Sequence, residues 1–375
     1  MPPKRLMLMS ARFLIMLCPV LFIGFHLYFH RIDMARNIHL PVDRELMNGR
    51  AGNQVATENM EKKGHSFVRP ENYTLDDAVA LPDVKTNLSR LKSGELKGLR
   101  YGHDYRYLHN PSHICFTDEG KRKKVLALFY SPTATHHFSR RKAIRETYGN
   151  SSNWGNCGDR GLMYTVFLLG ATSNESLQRK IDLEASQHRD IVQEGFLDTY
   201  LNLTLKAVMG LKWVINYCNH AKFAVKIDDD AMMNQKRFYD KFLTDLPLTG
   251  VAAGTVWVNA KPVRREGSKF YLSKEEYPLH SFPNYLNGLA YVLSLDVVRE
   301  VYAFALTTTK FKWEDVFVGM CLQKAGVQLR NINNMDLYGL RGKNYEVRVE
   351  EVHSHIFITD LNVTEMIWVW KIGHI

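Results

Sequence analysis

The chain has 375 residues, a formal net charge of +10, and 45% hydrophobic against 23% charged residues. That composition is ordinary for a globular protein with a real core, and the length suits one large domain or two modest ones. Its basic residues are scattered, with no zinc-knuckle spacing, RNP-like string or recognition-helix pattern, so no nucleic-acid partner is expected. A basic surface serves an anionic nucleotide or an anionic acceptor equally well.

Lys4, Arg5 and Arg12 precede an uncharged run, Phe13 to Phe29, which stops at His30 and Arg31. About 17 residues is the short end for a membrane span and sufficient for a thin bilayer. Positive charge ahead of the run keeps the N-terminus cytosolic. A cleaved signal peptide would want small residues at its exit, and here the chain reads His26-Leu27-Tyr28-Phe29-His30-Arg31, which favours an uncleaved anchor. Residues 1–12 are thus expected as a cytosolic tail and 13–29 as a signal-anchor helix of a single-pass, type II membrane protein. Asn72, Asn87, Asn150, Asn174, Asn202 and Asn362 each head an N-x-[ST] acceptor triplet, which agrees with a lumenal domain. With Cys18 inside the anchor, Cys115, Cys157, Cys218 and Cys321 face the oxidising side, where spacing allows three full pairings. None has a CxxC-like spacing, so no zinc site is expected.

From residue 30 to about 110 the chain is polar and broken by Pro41, Gly49, Gly52, Gly64, Pro70, Pro82 and Gly94. It reads as a lumenal stem that spaces a domain, 111–375, from the membrane. Val125 to Tyr130 is a continuously apolar run of the kind a buried parallel strand needs. A helix is expected over Phe138–Tyr148, a strand over Met163–Leu169, and an amphipathic helix over Glu175–Arg189. A short strand at Asp190–Val192, a helix over Thr199–Asn219 and a strand over Lys222–Ile227 follow. Strands alternating with helices predict a parallel α/β sheet, whose ligands bind beyond the carboxyl ends of the strands.

The last of those strands runs into Asp228-Asp229-Asp230. Three consecutive carboxylates repel one another unless cations offset them. A hard divalent ion with diphosphate oxygens as co-ligands would do so, whereas a solvated acidic turn is the bland alternative.

VKIDDDAMMN (225–234) resembles the DxD-containing segment of the β-1,3-glycosyltransferase family, which includes β-1,3-galactosyl- and β-1,3-N-acetylglucosaminyltransferases. RRKAIRETYG (140–149), DTYLNLTLK (198–206), FPNYLNGLAYVLS (282–294) and WEDVFVGMCLQKAG (313–326) occur in the family's order, and the similarity spans about 115 to 370. The resemblance implies an α/β, GT-A-like nucleotide-binding domain with a mostly parallel, mixed sheet. It also implies inverting hexose transfer from a UDP-sugar to a glycan on glycoprotein or glycolipid, usually with Mn²⁺, in a Golgi membrane protein. A homodimer is compatible with all of this.

Position by position, the resemblance puts Asp228 and Asp229 near uridine and ribose, with Lys226 on the same strand, and makes Asp230 the metal ligand. Asp315 matches the catalytic base, and an apolar Trp-Val frame would raise its pKa as a base requires. A helix cap is its structural alternative. Arg141 and Arg145, four apart and on one helical face, are expected to reach the nucleotide. Gly288 is expected in a turn where backbone approaches a ligand closely. Glu314 is expected at the nucleotide-sugar and leans toward a galactosyl donor rather than N-acetylglucosamine. His353, with His355 as the other register, is the expected C-terminal metal ligand. The family's Trp is replaced here by Tyr148, a packing departure. The resemblance also favours a Cys115–Cys218 disulfide, with Cys157 and Cys321 open. A lectin-like or chaperone-like lumenal protein would have lost Asp230 or Asp315, and both are present.

If 13–29 is an uncleaved anchor, little protein should be secreted and its N-glycans should be endoglycosidase-sensitive. A mature N-terminus shortly after residue 29 in the medium would contradict the anchor.

Overall fold

The computed structural model describes residues 103–154, 161–340 and 348–373. The expected anchor at 13–29, Cys18, most of the stem, Asn72, Asn87 and Cys157 lie outside the described residues. Among the described residues no helix is long and apolar enough to cross a membrane.

In chain order the main elements are β1 (Tyr107–His109), β2 (Val125–Pro132), α1 (Phe138–Glu146), β3 (Leu162–Ala171), α2 (Glu175–His188) and β4 (Ile191–Leu197). Next come α3 (Leu203–Tyr217), β5 (Phe223–Ile227), β6 (Met232–Met233), β7 (Ala252–Trp257), β8 (Tyr285–Ser294) and α4 (Leu295–Ala305). The chain closes with α5 (Glu314–Lys324), β9 (Arg330–Asn331), β10 (Asp336–Tyr338), α6 (Val349–Ser354), β11 (Phe357–Thr359) and α7 (Val363–Ile372). The apolar runs became strands for the expected reason: every residue of β2 and of β5 is buried. Caps set several helix ends. Asn174 accepts from the Leu177 N–H at the start of α2, which ends on Arg189 at φ 54. Asn362 and Glu365 form a capping box on α7.

Eight strands form the main sheet in the order β1-β4-β3-β2-β5-β8-β7-β9. β4, β3, β2 and β5 are parallel, whereas β8 runs antiparallel between β5 and β7. Strand order therefore reverses beside β2: β3 and β4 lie to one side of it and β5 to the other. Loops leaving the carboxyl ends of β2 and β5 diverge at that point, which leaves a crevice for a ligand. A second sheet, β10-β11-β6, flanks the acidic turn.

The stem expected to reach residue 110 ends earlier. Tyr107 pairs with Glu194 and His109 with Gln193, so β1 belongs to the sheet; three polar-flanked residues carry too little periodicity to show it. The helix expected over Thr199–Asn219 opens as a 3₁₀ turn, Tyr200–Asn202, before α3. Cys115 and Cys218 form a disulfide with Cα atoms 5.5 Å apart, tying the start of the domain to the end of α3. Cys321 is buried with a free thiol.

Helix α5 lies against β8 at a close crossing. A Cβ added at Gly319 would stand 2.4 Å from the Cβ of Tyr285, so only glycine lets the two backbones approach this far. Gly319→Ala should therefore push α5 off the sheet and cost about 1–3 kcal/mol of stability, as overpacking does. Equilibrium denaturation checks it, and a stability equal to wild type would contradict the close crossing.

Candidate active site

A cleft of about 530 Å³ opens at the carboxyl ends of β2 and β5, within the range of small-molecule sites. Pro132, Lys226, Asp228, Asp230, Asn287, Gly288, Glu314, Asp315, Thr359 and Asp360 are among its lining residues. Tyr200, Trp257, Lys261, Lys269, Phe270, Lys312 and Trp313 line its outer part.

The three aspartates have separate fates. Asp229 is 7% exposed and turned inward. Thr133 Oγ1 donates to it at 2.6 Å, His137 Nδ1 lies 2.7 Å away and Arg140 Nη1 donates at 2.8 Å. Burial acts to raise its pKa, but the contacts from His137, Thr133 and Arg140 outweigh burial and hold it at about 2. It is a permanent anion that ties α1 to the end of β5. Asp228 and Asp230 open onto the cleft. Desolvation pushes Asp228 upward, aided by Asp230 and Glu314 and opposed by Lys226; its 41% side-chain exposure limits that desolvation. Asp230 is also raised, first by burial and then by Asp229 and Asp360, against Arg140 at 3.7 Å and the Thr359 hydroxyl at 3.2 Å.

Lys226 lies on β5 with its ammonium buried. It donates to Asp228 at 2.6 Å and to the Gly288 carbonyl, and lies 3.8 Å from Glu314. It lines the cleft and also joins three elements, β5, β8 and α5. Glu314 is likewise committed: Tyr291 Oη donates to it at 2.8 Å, and it is 8% exposed.

Asp315 sits in the first turn of α5. Its Oδ1 accepts from the Val316 N–H at 2.8 Å, so it shares a local helix-start contact, while Trp313 holds the cap position. Burial is the main push that raises its pKa; the Val316 contact and Lys226 oppose it. Gly288 lies inside β8, a correction to the turn expected there. Its lack of a side chain matters because an added Cβ would stand 3.2 Å from the Asp315 Cβ and 3.3 Å from its Oδ2. The glycine makes room for the carboxylate.

The family model described as Galactosyltransferase matches residues 139–333, just over half of the chain. The chain belongs to the galactosyltransferase family. It falls among that family's β-1,3-glycosyltransferases. Gorilla β-1,3-galactosyltransferase 5 is 34% identical, covering 66% of this chain and 80% of its own length. Human lactosylceramide 1,3-N-acetyl-β-D-glucosaminyltransferase is 36% identical, covering 62% and 61%. The WbbM bifunctional glycosyltransferase structure aligns loosely, at 11% identity and TM-score 0.35 over 64% of this chain and 46% of that one.

The family's motif stretches surround the cleft, but not every expected side chain enters it. Arg141 is wholly buried. It donates to Glu184 at 2.7 Å, to the Ala134 carbonyl at 2.8 Å and to the Thr135 carbonyl at 3.2 Å. Arg145 bonds Asp190 and Glu184, each at 2.7 Å. The helical face they share is turned to α2, neither lines the cleft, and Arg141 braces the loop after β2. Arg140, one position earlier, faces the aspartates instead. Periodicity placed 141 and 145 on one face correctly but could not say which face met the ligand. From the 198–206 stretch, buried Lys206 pairs with Asp198 at 2.9 Å and donates to the Thr133 carbonyl at 2.6 Å, fixing the same loop. Tyr148 is buried edge-on against Phe129.

His353 is exposed, and its carbonyl accepts from Arg237. It does not line the cleft. His355 is closer to the chemistry, since it acts electrostatically on Asp336, which accepts at 2.6 Å from the cleft residue Asn287. Asp360, at φ 58, was missed, having no motif to announce it. Among the described residues no three acids, histidines or cysteines converge into a preformed metal cage. Asp230 nevertheless fits a hard cation that takes most of its ligands from a diphosphate and water, because its ionised form is disfavoured in the protein alone. Asn150, Asn174 and Asn362 are exposed, as glycan attachment requires, whereas Asn202 is half-buried and donates to the Leu197 carbonyl at 2.9 Å.

Removing the Lys226 charge strands Glu314 in the interior and leaves Asp228 without its counter-charge. Lys226→Met should cost about 3–5 kcal/mol, the usual penalty for breaking a buried pair, as read from denaturant unfolding. A cost under about 1 kcal/mol, the scale of an exposed pair, would contradict the buried hub. Gly288→Ala should leave the fold intact while turnover falls roughly 10- to 100-fold, the effect of displacing a positioned group by part of an ångström. Unchanged turnover would show that Asp315 does not need this space.

Proposed function

We propose that this chain transfers galactose from UDP-galactose to a glycan hydroxyl in β-1,3 linkage with inversion, as a lumenal domain anchored in the Golgi membrane. The observation that carries the proposal is the placement of Asp230 and Asp315 on one cleft, at the switch point of the parallel sheet. Curated relatives acting as galactosyl- and N-acetylglucosaminyltransferases support hexose transfer, and UDP-N-acetylglucosamine is the alternative donor.

Inversion needs a single displacement. Asp315 accepts the proton of the acceptor hydroxyl as its oxygen bonds to the anomeric carbon, and the bond to UDP breaks on the opposite face. Its raised pKa makes it a stronger base than an ordinary carboxylate. A second catalytic carboxylate of the glycosidase kind is not required. Asp230 would hold a divalent cation, Mn²⁺ by resemblance, which when bound offsets the charge on the leaving diphosphate. Asp228, beside it, meets the nucleotide, while Asp229 holds α1 in place.

Two substitutions separate these roles. Asp230→Ala should weaken metal-dependent UDP binding and abolish transfer. Asp315→Asn keeps size and hydrogen bonding but cannot take the proton; UDP and metal affinity should persist while turnover falls about 10²- to 10⁴-fold. Calorimetric UDP titration with Mn²⁺, beside initial rates with both donors, gives the two patterns. Near-normal turnover of Asp315→Asn removes it as base, and unchanged metal dependence of Asp230→Ala removes the aspartates from the metal site.

The base works only when ionised, so wild-type turnover should fall as pH drops through the Asp315 pKa. Because that pKa is raised, the acid limb should lie above the ordinary carboxylate value of about 3.9 and vanish in Asp315→Asn. A limb that survives the substitution would assign it to another group.

A further inference from the structure

The cleft is lined by charges of both signs, and the Lys226 ammonium among them is already paired with Asp228. Asp228, Asp230 and Asp315 line it along β5 and α5, and Lys261, Lys269 and Lys312 line its outer part. Lys312 pairs with Glu276 at 2.9 Å, but among the ion pairs of the described residues none involves Lys261 or Lys269. Both are exposed. No reason of stability gathers like charges on one wall, since they repel one another where they stand.

The lysines are interleaved with aromatic rings. Lys269 Nζ lies 4.7 Å from the centre of the Phe270 ring and Lys312 Nζ 5.2 Å from that of Trp313. Phe270 meets Trp313 edge-on at 5.7 Å, and Phe270 and Trp257 are 44% and 46% exposed. Lysine ammonium groups thus sit over one face of Phe270 and of Trp313, so a pyranose stacking its C–H side on either ring would lie on the other face or displace the lysine. The wall is also braced. Arg264 donates to four carbonyls of its own loop, those of Leu272, Ser273, Tyr277 and Leu279, at 2.6–3.0 Å. Leu272, Tyr277, Phe282 and Val316 form a small core that joins that loop to α5.

Its place in the fold assigns the wall to the acceptor. The 258–284 loop connects β7 to β8, and β8 separates β7 from β5 in the sheet. An in-line displacement brings the acceptor to the anomeric carbon from the face opposite UDP, past Asp315. Resting on the hexosyltransferase function proposed above, we infer that the acceptor is an anionic saccharide, whose carboxylate or sulfate is held by Lys261 and Lys269 while its rings lie on Phe270, Trp313 and Trp257.

The test is equilibrium binding to the full-length chain of saccharides differing in one group: a glucuronic acid-terminated disaccharide against its glucose-terminated counterpart, and 6-sulfated galactose against galactose. UDP is titrated in parallel. At low salt at least one anionic member should bind about tenfold tighter than its neutral twin, the scale of a charge-assisted contact. Which pair shows the larger ratio tells carboxylate from sulfate. The ratio should shrink at about 0.5 M salt and fall to about one in the Lys261→Ala/Lys269→Ala double variant, with UDP affinity changed less than about twofold. Equal binding of both twins in both pairs would overturn the inference. So would a double variant that loses UDP affinity instead, because the lysines would then serve the donor diphosphate. Absence of transfer from every UDP-hexose would defeat the proposed function and leave this binding comparison standing as its own result.

Discussion

The buried ammonium of Lys226 is the interaction on which the site depends. A lone charge in the interior is costly, and this one is offset by Asp228, Glu314 and the Gly288 carbonyl, each from a different stretch of chain. Desolvation favours its neutral form, but those anions outweigh it and raise its pKa, so it stays charged at any physiological pH. Because its partners follow β5, lie within β8 and begin α5, one cation fixes the relative placement of the aspartates and of Asp315. Tyr291 completes the arrangement by donating to Glu314, and its hydroxyl lies 3.5 Å from that of Tyr130 on β2.

The repulsion expected among three consecutive aspartates is resolved by dividing their work. Asp229 turns inward, where Thr133, His137 and Arg140 hold its charge by hydrogen bonds. Its neighbours on either side face the cleft, Asp228 paired with Lys226 and Asp230 with Arg140 only at 3.7 Å. Behind Asp229, Arg141, Glu184, Arg145 and Asp190 form a second layer of charge pairs that holds α1 against α2. Behind the cleft the supporting charges are thus paired with one another.

Much of this was legible in the chain. β2, β3 and β5 announced themselves as continuous apolar runs because parallel strands covered on both faces need them. The acidic triplet after β5 and the Asp of the 313–326 stretch marked where the cleft would be. What sequence could not give was orientation across the third dimension. The 141/145 face is real, yet it meets Glu184 rather than a ligand, and Arg140 beside it faces the aspartates. Gly288 was read as a turn glycine, although it is a strand residue that leaves room for Asp315. β1, three residues long, and Asp360, on a bend after a short strand, carry no periodic signal. His353 looked like a ligand by its neighbours in sequence, but α6 leaves it exposed.

The central claim is a single displacement with Asp315 as base, yielding a β-1,3 bond. The most direct measurement is proton NMR of the first product formed from a UDP-α-hexose and a saccharide acceptor, resolving both anomeric configuration and the position substituted. The account predicts a β-anomer attached at position 3. An α-linked first product would contradict it, because retention would demand a second nucleophile that Asp315 alone does not supply.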